Sequence, residues 1–85
     1  MADYRYLLDC SVIEEFVGLP SHSRRFLLVI FRQVAEDPFR TGDTTFRDSS
    51  DREIQKRQFG TWIISFWADH AVKEVRIVGL QKMRR

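Results

Sequence analysis

The sequence predicts an α+β domain in the order β-α-α-β-β-β, with two helices packed on one face of a curved antiparallel sheet. Apolar residues alternate near the start and again from residue 54 onward, and between residues 11 and 36 they shift to a helical period. Glycine or proline punctuates the later breaks, at Gly18-Leu19-Pro20 between the helices, at Pro38 after them and at Gly60 in the meander. The 85 residues form a single domain, 1–85, with room for one modest core.

Tyr4, Tyr6, Leu8 and Cys10 alternate with Arg5, Leu7 and Asp9, which predicts a first strand of about seven residues with Cys10 buried in it. Ser11-Val12-Ile13-Glu14 then reads as a capping box opening a short helix. Ile13, Phe16 and Val17 share one face of that helix, and Gly18 can close it in a left-handed conformation. Leu19-Pro20 leads to a stronger helix capped by Ser21, with Leu27, Ile30, Phe31 and Val34 as its core stripe. Phe26 and Val29 widen the stripe. This helix ends near Glu36, because Pro38 drives Asp37 out of the helical region. Arg24 and Arg25 occupy the first turn, where the helix dipole disfavours positive charge, so they are placed for a partner or for pairing with Asp.

Residues 39–51 are rich in Thr, Ser, Asp and Gly and carry neither period, so they read as an exposed loop tacked to the body by Phe39 and Phe46. Strands follow at 53–59, 61–67 and 72–78, with turns at Gly60 and at Ala68-Asp69-His70 and an end at Gly79. Both helices lie between the first strand and the meander, so they cover one face and leave the other open. The strand 61–67 carries bulk on both faces, with Trp62, Ile64 and Phe66 on one and Ile63 and Trp67 on the other. Either the first set faces out as a recognition surface, or it is core and the second set is exposed.

The net charge is only +2, yet bases gather at Arg52, Lys56 and Arg57 and again in the final Lys82-Met83-Arg84-Arg85. Such clusters suit a polyanion, through steering and counterion release. One cysteine excludes an internal disulfide, and neither a Cys pair nor a His cluster offers a metal site, so no cofactor is expected. The sequence lacks both an apolar run of membrane-spanning length and a secretory leader, which points to the cytoplasm.

The stretch GLPSHSRRFLLVIFRQVAEDPFR, the turn glycine Gly60 and the Val78-Gly79 ending before a basic tail together resemble the RelE/ParE superfamily of bacterial toxin-antitoxin toxins. The resemblance implies a cytoplasmic type II toxin, neutralised by a cognate antitoxin that wraps its surface. RelE-like members cut messenger RNA on the ribosome, and ParE-like members inhibit DNA gyrase. Two positions depart from the pattern. Where RelE-like nucleases carry an arginine second after the turn glycine, this chain has Trp62, and Arg85 stands near the usual terminal Tyr or His.

Cleavage through the 2′-hydroxyl needs a base, a proton donor and cations on the phosphorane. The resemblance brings Lys56, Arg57, Lys82 and Arg85 to one rim as catalytic candidates, with Arg52, Arg76, Arg84 and Trp62 as RNA contacts. The expected function is ribosome-dependent, metal-independent mRNA cleavage. The alternative is a ParE-like non-enzymatic gyrase inhibitor or a catalytically inactive binding protein. His22, at a helix start, and His70, at a far turn, are expected to be structural.

Overall fold

The structure is a computed structural model that describes residues 4–83. Its elements are β1 (Arg5–Leu8), α1 (Cys10–Val17), α2 (Ser21–Glu36), β2 (Thr44–Arg47), β3 (Glu53–Phe59), β4 (Trp62–Asp69) and β5 (Glu74–Lys82). One sheet runs β1-β5-β4-β3-β2, antiparallel except that β1 lies parallel to β5. This is the expected α+β arrangement with one strand more. β2 comes from the segment expected to be loop, and it pairs Thr44 with Lys56 and Phe46 with Ile54. Its four residues are all exposed, so no buried alternation marks it in the sequence. Gly42 makes the approach to β3 possible. Its N–H donates to Gln55 Oε1 at 2.7 Å, and a Cβ there would stand 2.5 Å from the Lys56 carbonyl oxygen.

The first strand is shorter than its alternation suggests. Parallel pairing ends at Leu8 and Ile77, the Asp9 N–H donates to the Ile77 carbonyl at 3.0 Å, and the chain turns directly into α1. Cys10 therefore opens a helix and is exposed, not buried in a strand. The predicted capping box does not form, because the helix starts before Ser11 with Asp9 at the cap position and no side-chain cap bond. Gly18 closes α1 at φ −83°, within the ordinary helical region rather than the left-handed one. Pro20, not Ser21, holds the cap position of α2. Arg24 reaches back to donate to the carbonyls of Leu19 at 2.8 Å and Val17 at 3.4 Å, so it joins the two helices.

Leu27, Ile30, Phe31 and Val34 are buried as predicted, but Phe26 and Val29 remain 43% and 49% exposed. With Val12 they meet Trp62, Ile64 and Phe66 of β4 and Val75, Ile77 and Leu80 of β5 in a single core. The tight turn sets this register. Gly60 at φ +63° allows Phe59 to pair directly with Trp62, and alternation then sends every even residue of β4 toward the helices. Trp62 is 6% exposed, so of the two alternatives the set Trp62, Ile64 and Phe66 is core, and its reading as an outward surface for an antitoxin segment or an unpaired base is corrected. Ile63, Ser65 and Trp67 occupy the uncovered face instead.

Candidate functional site

The same alternation builds the open face. Lys56 stands across from Ser65, and beyond a bulge between Ser65 and Phe66, Trp67 lies directly beside Arg76. Ile54, next to the helix-facing Gln55, also points to this side, where it pairs with Phe46. It is only 2% exposed although no helix covers it. Phe46 pairs with it across β2 and β3, and both line one groove with Trp67.

That groove has a volume of about 500 Å³ and is lined by Asp9, Asp48, Arg52, Ile54, Trp67 and Arg76. The Arg52 guanidinium lies 4.1 Å from the Trp67 ring centroid and that of Arg76 lies 5.9 Å away, both within range of a cation–π attraction. Arg52 is tethered to Asp48 Oδ2 at 3.6 Å. Asp48 Oδ1 accepts from the N–H groups of Ser50 and Arg52, each at 2.9 Å, and this fixes the β2–β3 turn that carries them. Arg76 is oriented by Glu74, a carboxylate just 7% exposed that accepts from Arg76 at 3.3 Å and from Arg5 at 3.1 Å. Lys56 extends the cationic margin, its Nζ 4.9 Å from the Phe46 ring centroid.

The residues predicted from sequence divide between the two faces. Arg52, Lys56 and Arg76 share the open one. Arg57 pairs with Ile64 and Lys82 with Trp62, which places both on the helix side. The expectation that Lys56, Arg57 and Lys82 gather at one rim is therefore corrected, because neighbours in a strand point to opposite faces. Arg57 lies against the Phe59 ring at 4.6 Å. Burial, and then the neighbouring Arg40, pull its pKa below the ordinary guanidinium value, against the opposing effect of Asp43 and Asp37. Arg84 and Arg85 lie outside the described residues. His70 stacks on Phe39 at 4.6 Å and hydrogen-bonds the Tyr4 hydroxyl through Nδ1 at 2.6 Å, which ties the segment after α2 to the β4–β5 turn. Sequence reasoning did not assign Trp67, Phe46 or Asp48 to the site. The signal for Trp67 was its parity in β4, readable only once the turn register was known.

The backbone has close counterparts among solved structures. A chain of the RelBE2 toxin-antitoxin complex from Mycobacterium tuberculosis superposes with a TM-score of 0.76 at 15% identity, covering 93% of this chain and 96% of that one. The fold is that of the RelE toxins. The isolated RelE toxin of E. coli matches with a TM-score of 0.72 at 20% identity over 96% of this chain and 86% of that one. The archaeal RelE-RelB complex of Pyrococcus horikoshii gives 0.70 at 18% identity, covering 96% and 97%. No protein-family model matches the sequence, and neither does any curated protein. Trp62, second after the turn glycine Gly60, is buried.

Proposed function

We propose that this chain is the toxin half of a cytoplasmic toxin-antitoxin pair and that it acts on RNA through the open sheet face. The observation that carries the reading is the cluster of Arg52, Trp67 and Arg76 on the face the helices leave bare. Guanidinium groups beside an aromatic ring suit single-stranded nucleic acid, which offers phosphates to the first and unstacked bases to the second. The RelE fold and its occurrence in toxin-antitoxin complexes support a cognate antitoxin as partner. A small acidic protein encoded beside this one is the expected form.

On the first reading the chain cuts messenger RNA on the ribosome. Of the catalytic candidates Lys56, Arg57 and Lys82 among the described residues, Lys56 is the one on the open face, so it is assigned the phosphorane contact, with Arg52 and Arg76 holding the strand. Arg84 and Arg85 retain their proposed roles in RNA binding and catalysis. Arg57 and Lys82 are set apart from that contact by the sheet itself. Their separation favours a second reading, in which the chain inhibits by binding alone, on RNA or, as ParE-like toxins do, on DNA gyrase.

Induced expression in bacteria, with primer extension on ribosome-bound message, tests both. Growth arrest with new cuts, both lost in the Arg52→Ala and Arg76→Ala double variant, is the expected result. Arrest without cuts replaces the first reading with the second. No arrest at all ends the toxin reading.

A further inference from the structure

We propose that the Trp67 groove is a nucleobase subsite for single-stranded RNA, in which an unpaired base takes the place of the Arg52 guanidinium on the Trp67 ring. The inference rests on the RNA reading above and names the part of the substrate this groove receives.

Charge decides between base and phosphate. A phosphate clamp concentrates positive charge, but here the guanidinium groups of Arg52 and Arg76 share the groove with the carboxylates of Asp9 and Asp48. Glu74 further neutralises Arg76 from beside it. A backbone phosphodiester, a monoanion, gains little in such a balanced field, whereas a neutral, planar ligand with donors and acceptors gains stacking and hydrogen bonds together. The volume of about 500 Å³ falls within the range of small-ligand sites.

The groove is equipped for both kinds of contact. Arg76 is held by Glu74 and presents fixed donors. Asp9 does not cap α1, so its carboxylate is left as an acceptor, and the ribose 2′-hydroxyl is the donor that separates RNA from DNA. Arg52 covers the ring lightly. Its pairing with Asp48 is 3.6 Å long and its side chain is 44% exposed, so the bridge holds it by about fivefold at most. Stacking of a base on the ring, worth about 5- to 150-fold, outweighs the bridge together with the cation–π contact, itself about two- to fivefold, over the upper half of that range. Once displaced, Arg52 is free to meet the adjoining phosphate.

The test titrates the full chain with a short single-stranded RNA, the same backbone made abasic, and the DNA of the same sequence, following binding by anisotropy and tryptophan fluorescence. Trp67 lies in the groove and Trp62 in the core, so RNA is expected to quench the Trp67 emission. Trp67→Ala is expected to weaken RNA binding by about 5- to 150-fold while leaving the abasic strand unaffected, and Trp67→Phe to retain most of the affinity. Asp9→Ala, which removes the acceptor, is expected to remove the preference for RNA over DNA. Equal affinity for intact and abasic strands, or indifference to both Trp67 substitutions in a chain that still binds RNA, overturns the subsite and leaves the RNA reading standing. Absence of RNA binding together with absence of growth arrest overturns both.

Discussion

Trp62 and Trp67 sit on the same strand, yet they belong to different regions of the molecule. Trp62 is sealed beneath α2 with Ile64 and Phe66, in a dry core made almost wholly of aliphatic and aromatic carbon. Trp67 faces the side without helices, under a guanidinium, beside carboxylates and above the second buried patch at Ile54. The first region is held by exclusion of water and the second by charge, ring and hydrogen bond. The contrast teaches that strand parity, fixed by one glycine turn, decides which tryptophan supports the fold and which is available for recognition.

The sharpest way to break the comparison is to truncate each ring. Trp62→Ala is expected to cost about 3–5 kcal/mol, enough to unfold much of a domain this size, as read by chemical denaturation. Trp67→Ala is expected to cost less than about 2 kcal/mol while weakening growth arrest in step with the loss of RNA binding. Equal destabilisation by the two substitutions would erase the distinction between the faces.

Gly42→Ala comes next. The added Cβ meets backbone at 2.5 Å, so β2 must shift from β3 at an expected cost of about 1–3 kcal/mol. Loss of β2 amide protection in hydrogen exchange, with β4 and β5 still protected, is the signature. Glu74→Gln keeps the shape but removes the charge between Arg5 and Arg76, whose side chains are 73% and 41% exposed. Solvent screening at both arginines limits the expected cost to about 1 kcal/mol. The smallest effect is the coupling of Arg52 to Trp67, about 0.5–1 kcal/mol in a double-mutant cycle. A coupling near zero would mean that the guanidinium rests on the ring without gaining from it.

Much of the fold was legible because burial leaves periodic marks. The stripe Leu27, Ile30, Phe31, Val34 located α2, Pro38 located its end, and Gly60 located the central hairpin. β2 left no such mark, since four exposed residues alternate against nothing. Cys10 misled because a parallel strand can pass into a helix while polar and apolar residues are still alternating. The site was half legible for a related reason. Composition identified Arg52, Lys56 and Arg76 as cations in suggestive places, but it could not show that Arg57 and Lys82 lie behind the sheet. That depends on register, which is set by the turn and the bulge rather than by residue type.

The parallel pairing of β1 with β5 joins Arg5 to Glu74, 69 residues apart. A growing polypeptide cannot complete this join until Glu74 has left the ribosome, and α1, which rests on β5, lacks its support until then. Long loop closure of this kind slows folding relative to a helical bundle of the same length. An interrupted translation product ending before Glu74 therefore leaves both β1 and the first helix without the strand on which they rest, so the N-terminal elements wait for the last strand of the sheet.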